Sequence, residues 1–309
     1  MGRLALLTAL VACVVLTIGC EQKEGASTTK GSVTIECDES VLPVMQIEAD
    51  DFRSTYPETQ VTLRAQEARA AIANFVNDTV RVIVCGREFN REERDVIKAA
   101  NFEVKEFKVA MDAIAVIGHK DNPLKRLRVS ELDSILSGTL TRWEGKRSGD
   151  LIEVAIGGVN SSTNEVVQSA ILKNSPFSLA ATRYDSSRQL LEFVRMNKNA
   201  IGIVGVSWLK GNEDQLTVFT LGDPSARADS TQSVGKYYSP AQAYIYKGYY
   251  PITRPIYIYT REVRRNVSLG FIAYVTSALG QKIFLNNGLV PTTMPVRIVE
   301  LTSQQVKAQ

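Results

Sequence analysis

The heptapeptide GVNSSTN, residues 158–164, carries three hydroxyl side chains in a row, Ser161, Ser162 and Thr163. The preceding residues LIEVAIG have the pattern of a strand, and the following residues EVVQSAIL that of a helix. Ligands often lie at such a junction in α/β proteins, where the helix N-terminus offers free N–H groups to an anion. Ser162 and Glu165 also have capping-box spacing, which would satisfy those N–H groups within the chain. The stretch alone is compatible with both interpretations.

Four cysteines and one histidine are the candidates for thiol or metal chemistry. Cys13 lies within an apolar N-terminal run and Cys20 ends it, which leaves Cys37 and Cys85 to a folded domain. In an exported protein such a pair suggests a disulfide, although spacing alone cannot establish its geometry. Two cysteines and one histidine cannot complete a four-ligand zinc site without carboxylates, so neither a metal site nor a cofactor is expected.

The N-terminus has the organisation of an export signal. One positive charge precedes an apolar run over residues 4–18, which is too short for a comfortable transmembrane helix. The run ends in LTIGC and resembles a bacterial lipoprotein signal, although Leu16 lies four residues rather than three before the cysteine. The resemblance implies removal of residues 1–19, lipidation of Cys20 and a polar tether over residues 20–30. A plain signal peptide cut nearby is the alternative.

Composition is typical of a folded globular protein without a bias toward one kind of charged partner. The chain has 309 residues, enough for two domains, with 44% hydrophobic and 22% charged residues. A formal net charge of +3 is too balanced to indicate a nucleic-acid partner. Because the sequence has no polybasic patch, contact with a membrane is expected through the lipid anchor only.

The elements that must position these residues alternate between strand and helix patterns, which is typical of a parallel-sheet α/β architecture. The predicted helix NREERDVIKAA has a capping pair, Asn90 and Glu93, and VSELDSILSG is closed by Gly138. Near the C-terminal end, SLGFIAYVTSALGQKIFLNNG predicts one long amphipathic helix. The alternation in AYIY and in PIYIYT predicts strand faces.

Four blocks of the chain occur in a specific order. They read IECDESVLPVMQIEADDF, VAMDAIAVIGHKDNPLKRLRVSELDSILSGTLTRWEG, NKNAIGIVGVSWL and YYPITRPIYIYT…ALGQKIFLNNGLVPT. Together they resemble the phosphate-binding proteins of bacterial phosphate ABC importers, especially the short lipoprotein branch of that periplasmic-binding-protein family. The match runs from about residue 31 to residue 295, which is nearly the whole mature chain.

The resemblance implies the two-lobed, type II periplasmic-binding-protein fold, an α/β architecture. Each lobe would be a mostly parallel sheet flanked by helices, with two crossover strands near AVIGHK and YYPITRP as the hinge. Lobe one would comprise residues 31–117 and 253–300, and lobe two residues 118–252, with residues 301–309 as a C-terminal tail. The ligand would lie in the cleft between the lobes.

Carried over residue by residue, the resemblance places an anion site in that cleft. The matching positions are Ser40 after the first strand, Arg87 after the third strand, and Ser161 and Thr163 in lobe two. Ser162, between them, replaces the usual glycine and is a further candidate ligand. Other positions depart from the family pattern as well. Glu67 and Ala68 stand where glycine and serine are usual, Cys85 where serine is usual, and Gly157 where arginine is usual. Cys37 and Cys85 would end neighbouring strands, so a disulfide across the cleft floor and two free, partly buried thiols both stay open.

Arginines that follow lobe-one strands could replace the missing cation, because arginine binds oxyanions bidentately. The candidates are Arg64, Arg69 and Arg87, and Asp38, Glu39 and Glu67 could accept a proton from phosphate. The alternative is that these arginines pair with Glu67 and Glu88 on a solvated rim.

The resemblance implies a monomeric, extracytoplasmic binding protein that performs no chemistry. It would capture phosphate, or a similar small oxyanion, for the permease of an ABC importer while its lipid holds it at a bacterial membrane. Two other functions stay open. A sensory or scaffold lipoprotein could keep the fold and lose the ligand, and an ester hydrolase could use Ser161 or Ser162, although no general base is evident in the sequence.

Overall fold

The computed structural model describes residues 27–143, 150–222 and 236–293. The predicted signal segment 1–19, the lipidation site Cys20, most of the predicted tether and the tail 301–309 lie outside these ranges. Within the described ranges no single helix has the length and apolarity to cross a membrane. One pair of helices near the C-terminal end, bent by 59°, meets that test only when its members are taken together.

The first part of the chain builds three parallel strands with helices between them. The elements are β1 (Gly31–Asp38), α1 (Leu42–Thr55), β2 (Thr59–Gln66), α2 (Ala68–Val76), β3 (Val82–Cys85) and α3 (Arg91–Ala99). β1 lies between β2 and β3 and pairs in parallel with both. Local signals explain two helix starts, because Pro43 lies in the first turn of α1 and Asn90 and Glu93 form the predicted capping box of α3.

The middle of the chain repeats the pattern. Its elements are β5 (Arg126–Arg128), α4 (Val129–Ser137), β6 (Glu153–Gly157), α5 (Ser162–Ala170), β7 (Thr182–Tyr184), α6 (Ser187–Met196), β8 (Ala200–Gly205), β9 (Leu216–Val218), β10 (Thr220–Gly222), β11 (Tyr237–Tyr238) and α7 (Gln242–Tyr246). β6 lies between β7 and β8 and is parallel to both. α4 ends at Gly138 as predicted, and the φ of 84° there is a left-handed conformation that glycine adopts at little cost.

One long strand joins these two parts. β4 (Lys105–His119) pairs antiparallel with β12 (Thr253–Thr260) through Ala113 and with β8 from Ile114 onward. The main sheet of the described residues has the order β2-β1-β3-β12-β4-β8-β6-β7, with β9 and β13 (Val290–Pro291) also on β4. The predicted two-lobed α/β fold is confirmed, whereas the residue bounds of the lobes stay a prediction.

Two predictions near the C-terminal end are wrong. The segment predicted as one long helix forms α8 (Val267–Val275) and α9 (Ala278–Asn286), which meet at an angle of 59°. Ser277 is the N-cap of α9, and Gly280 allows the bend because a Cβ there would lie 2.6 Å from the carbonyl oxygen of Tyr274. The AYIY segment lies in helix α7 instead of a strand, whereas PIYIYT is confirmed as β12.

Each lobe has its own hydrophobic core. Phe52, Phe271 and Phe284 pack on one face of the lobe-one sheet, while Phe75 and Tyr259 belong to a second cluster with Phe89. A larger cluster, including Ile117, Ile135 and Leu190, fills lobe two. The cores hold the ends of β1, β3, β6 and β12, and those ends bring polar side chains together between the lobes.

Candidate functional site

The GVNSSTN turn connects β6 to α5, and the predicted capping box within it is wrong. Ser161 is the N-cap of α5, and its side chain makes no capping hydrogen bond. Ser162 is therefore the first helical residue, and its hydroxyl donates across the cleft to Asp38. Glu165 turns its carboxylate toward lobe-one arginines. Asn164 stabilises the turn instead, because its Nδ2 donates 2.8 Å hydrogen bonds to the carbonyl oxygens of Gly157 and Gly158.

Asp38, the last residue of β1, accepts hydrogen bonds from both lobes. Its Oδ1 accepts from the backbone N–H of Ser40 at 3.1 Å and from the Ser40 hydroxyl at 2.7 Å. Its Oδ2 accepts from the backbone N–H of Gly86 at 3.0 Å and from the hydroxyl of Ser162. Ser40 and Ser162, both predicted site residues, also lie 3.1 Å apart, Oγ to Oγ. The structure thus brings these two predicted hydroxyls together.

Arg254, in the second crossover strand β12, is the cation at this cluster, and the sequence reasoning missed it. The side chain is 0% exposed. Its Nη1 donates to the hydroxyls of Ser40 and Ser162, each at 2.9 Å, and to Thr163 at 3.2 Å. Its Nε and Nη2 lie 2.9 and 2.8 Å from Oδ2 of Asp112 on β4. Burial raises the pKa of Asp112, and the Arg254 charge opposes that rise.

Two glycines make room for this guanidinium. A Cβ at Gly86 would lie 2.9 Å from Nη1 of Arg254 and 3.1 Å from Oδ2 of Asp38. A Cβ at Gly205 would lie 2.7 Å from Nη2 of Arg254 and 2.7 Å from the carbonyl oxygen of Ser40. Larger side chains at either position would therefore displace the cluster. The signal for Arg254 in the sequence was its position in YYPITRP, the predicted second crossing.

The predicted arginines Arg69 and Arg87 form ion pairs across the cleft. Arg87 makes two 2.8 Å bonds to Glu93, and its Nε pairs with Glu165 on α5. Arg69 donates to the same Glu165 carboxylate. Burial by itself would lower the pKa of Arg87, but the Glu93 bonds and the Glu165 charge outweigh it and hold that pKa above its ordinary value. Burial would raise the pKa of Glu93, but the Arg87 bonds, the Asn90 backbone N–H and the charges of Arg87 and Arg69 together lower it.

The solvated-rim alternative expected these arginines to pair with Glu67 and Glu88. The structure pairs Arg69 and Arg87 with Glu93 and Glu165 instead. Arg87 is 7% exposed, so its pairs are also largely removed from water. Arg64 lies apart from the cluster. It is an exposed residue within β2 and lines a separate groove with Thr34 and Arg81.

A second lobe-one acid meets lobe two beside Asp38. The carboxylate of Glu39 accepts the backbone N–H of Ser187, the first residue of α6, at 2.9 Å and the Ser187 hydroxyl at 2.8 Å. The Glu39 carbonyl accepts from Nε1 of Trp208 at 3.3 Å. Burial raises the pKa of Glu39, and the Ser187 hydrogen bonds offset part of the rise.

The space that remains beside these hydroxyls is a cavity of about 20 Å³. Its lining includes Ser161 and Thr163 together with four acids, Asp38, Glu39, Glu67 and Asp185, and no lysine or arginine of the described residues. A cavity of this size holds about one water molecule. Glu67 narrows this cavity, because its carboxylate lies so close to Gly158 that a Cβ on Gly158 would overlap it. The cradle is therefore filled by the protein's own side chains.

Cys37 and Cys85 are free, buried thiols in the structure, which is the second of the two alternatives that the sequence left open. Cys85 ends β3 and Cys37 is the next-to-last residue of the neighbouring strand β1, close to the predicted positions. Burial raises the pKa of both thiols, and the nearby charge of Asp38 adds to the rise.

Comparison with known proteins gives consistent relatives. A family model described as a PBP superfamily domain matches residues 22–278. Protein SphX of Synechococcus elongatus is 24% identical over 294 residues, which cover 92% of this chain and 83% of SphX. The phosphate-binding protein PstS of Staphylococcus epidermidis is 22% identical over 263 residues, which cover 82% of this chain and 78% of that protein.

Solved structures share the fold. A chain described as a phosphate ABC transporter substrate-binding protein with bound phosphate, from Clostridium perfringens, superimposes with a TM-score of 0.71 at 23% identity. The superposition covers 85% of this chain and 100% of that one. An ABC-type phosphate transport receptor from Vibrio cholerae superimposes with a TM-score of 0.62 at 21% identity, over the same shares of the two chains.

Proposed function

The chain belongs to the family of PBP superfamily domains, and from that premise we propose that it is an extracytoplasmic binding lipoprotein for phosphate or a similar small oxyanion. It delivers this ligand to the permease of an ABC importer and catalyses no reaction. Cys20 carries the lipid anchor, and the protein acts as a monomer. The names of its relatives support the ligand class, because PstS is a phosphate-binding protein.

The observation that carries this proposal is the hydroxyl cradle around Arg254. Ser40 comes from lobe one, whereas Ser162 and Thr163 come from the first turn of α5 in lobe two, and one guanidinium nitrogen contacts all three hydroxyls. Hydroxyl donors, a guanidinium and a helix N-terminus together form a typical oxyanion site. Arg254 takes over the role that the sequence assigned to Arg64, Arg69 and Arg87.

Thermal unfolding of the full-length protein with an anion panel tests this function. A ligand that binds the folded state raises the melting temperature increasingly with its concentration, so phosphate should produce such a rise. Thr163→Val removes one hydroxyl from the cradle. It should weaken phosphate binding roughly tenfold or more, because a hydrogen bond to a charged group contributes about 1.5–3 kcal/mol. Ser169→Ala, on the exposed face of the same helix, is the matched control and should bind as wild type does.

The alternative function, a sensory or scaffold lipoprotein with the same fold, is favoured by the 20 Å³ cavity and its four acids. That function predicts no shift in melting temperature with phosphate, sulfate, arsenate or molybdate. Such a result would overturn oxyanion binding in favour of the alternative.

A further inference from the structure

Hydrogen-bond donors of the cradle already bind a carboxylate of the chain itself, that of Asp38. Asp38 accepts four hydrogen bonds, from the N–H and hydroxyl of Ser40, the N–H of Gly86 and the hydroxyl of Ser162. We propose that Asp38 is a built-in occupant of the cradle, which closes the two lobes from within and competes with an oxyanion for the same donors. The competition rests on the proposed oxyanion binding, whereas the closure does not.

The donors around Asp38 are those that an oxyanion requires. Two backbone N–H groups and two hydroxyls converge on its two oxygens, and each group would serve a phosphate oxygen equally well. Three of these donors belong to lobe one, and the fourth, Ser162, belongs to lobe two. A single carboxylate therefore connects the lobes in the way that a bound oxyanion would.

Glu39 repeats the arrangement one residue further along the chain. Its carboxylate accepts the N–H and the hydroxyl of Ser187 at the start of α6. The N-terminal end of a helix carries a partial positive charge, which favours a carboxylate there. Two consecutive acids of lobe one, Asp38 and Glu39, thus contact the first residues of two helices of lobe two. Asp38 ends β1, whose last four residues are buried, and Glu39 follows it directly, so the lobe-one core fixes the backbone at both acids.

The closed arrangement leaves no room for a second anion at the cradle. The remaining cavity of about 20 Å³ is close to the volume of one water, and Asp38 and Glu39 both line it. An oxyanion must therefore displace the Asp38 carboxylate before it can reach Ser162. If the cradle is free in one molecule in ten, the apparent affinity falls tenfold below the intrinsic affinity.

Replacement of Asp38 tests the closure and the competition separately. Asp38→Ala removes the occupant, and Asp38→Asn keeps its size while removing the charge if the alanine variant folds poorly. Hydrogen–deuterium exchange on the full-length protein reports closure through the segments 157–165 and 184–190, which contain the lobe-two donors. Without phosphate, both variants should exchange faster than wild type in these segments, and exchange in the central strand β4 should be unchanged.

Asp185→Asn is the matched control, because Asp185 is an exposed acid that lines the same cavity and makes none of the four bonds to Asp38. It should keep wild-type exchange in segment 157–165. Equilibrium dialysis with labelled phosphate measures the competition. Asp38→Ala should bind phosphate at least about tenfold more tightly than wild type, whereas Asp185→Asn should change the affinity less than about threefold.

The outcomes separate the two proposals. Wild-type exchange in segments 157–165 and 184–190 of both Asp38 variants would overturn the built-in occupant, whatever their phosphate affinity. Faster exchange in Asp38→Ala, slowed again by phosphate, supports both closure and competition. Faster exchange with no phosphate binding by any variant supports closure, and it overturns the competition together with the proposed phosphate binding. An equal gain in affinity from Asp185→Asn would attribute the gain to charge alone and overturn the competition.

Discussion

Glu48 is an acid whose ionised form the fold opposes, and its substitution should stabilise the protein at neutral pH. The residue lies on the buried face of α1, one turn after Val44 and one turn before Phe52. Its side chain is 0% exposed, and neither carboxyl oxygen has a hydrogen-bond partner among the described residues. Burial, together with the nearby charge of Asp51, raises the pKa of Glu48 to about 9.

The direction of the pH dependence follows from that raised pKa. In the unfolded chain a glutamate has a pKa of about 4.3, so below that pH both states hold the proton and no penalty exists. Between about pH 4.3 and the folded-state pKa, only the unfolded state gives up its proton. The free energy of unfolding therefore falls by about 1.4 kcal/mol per pH unit. At pH 7.5, roughly three units into this window, the loss is about 4 kcal/mol, a large share of a typical stability of about 5–15 kcal/mol.

Glu48→Gln keeps the shape of the side chain and removes its ionisation. Its stability relative to wild type should grow by about 1.4 kcal/mol per pH unit and reach about 4 kcal/mol at pH 7.5. Guanidinium unfolding followed by circular dichroism at pH 5, 6, 7 and 8 measures this difference. Glu92→Gln, an exposed position on α3, should show no such growth. A stability difference for Glu48→Gln that stays constant with pH would refute the reasoning.

Three further predictions concern the cleft. Gly205→Ala places a methyl group 2.7 Å from Arg254 Nη2 and should lower stability by about 1–3 kcal/mol, measured by denaturant unfolding; wild-type stability would contradict the proposed close approach. Cys37 and Cys85 should be unreactive toward a thiol reagent in the native protein and both reactive after denaturation without reductant, whereas an unreactive pair would indicate a disulfide. Glu165→Gln should cost about 1–3 kcal/mol of stability because it leaves a buried arginine short of a partner, and an unchanged midpoint in the same unfolding assay would argue against this ion pair.

Much of the fold could be predicted from the sequence because its signals are local. The capping box of α3 needs only Asn90 and Glu93, and the end of α4 needs only Gly138. The break between α8 and α9 has a weaker local signal, since a continuous apolar pattern crosses Ser277 and the bend depends on how Gly280 packs against the preceding helix. Periodicity predicts which face is buried, but it does not report where two helices separate.

The site was harder to predict because its contacts join residues far apart in the chain. Arg254 and Asp112 are 142 positions apart, and Ser40 and Ser162 are 122 positions apart. The family resemblance predicted the hydroxyls as site residues, since each follows a strand at a recognisable place. It did not find Arg254, because a crossover strand has no motif that marks one of its side chains as pointing into the cleft. The partner of Arg69 and Arg87, Glu165, was assigned to helix capping for the same reason.

The three residues that follow Cys37 connect closure and binding through shared groups. Asp38 holds Ser162, Glu39 holds Ser187, and Ser40 accepts from Arg254. Because they are consecutive at the end of β1 and in the turn that follows it, a ligand that displaces the Asp38 carboxylate also alters the neighbouring contacts. The measured affinity of an oxyanion is then its intrinsic affinity for the hydroxyls and Arg254 reduced by the free energy of the internal contacts. Weak phosphate binding by wild type would therefore be an expected property of this cleft, and the Asp38 variants distinguish it from a cradle that has lost its ligand.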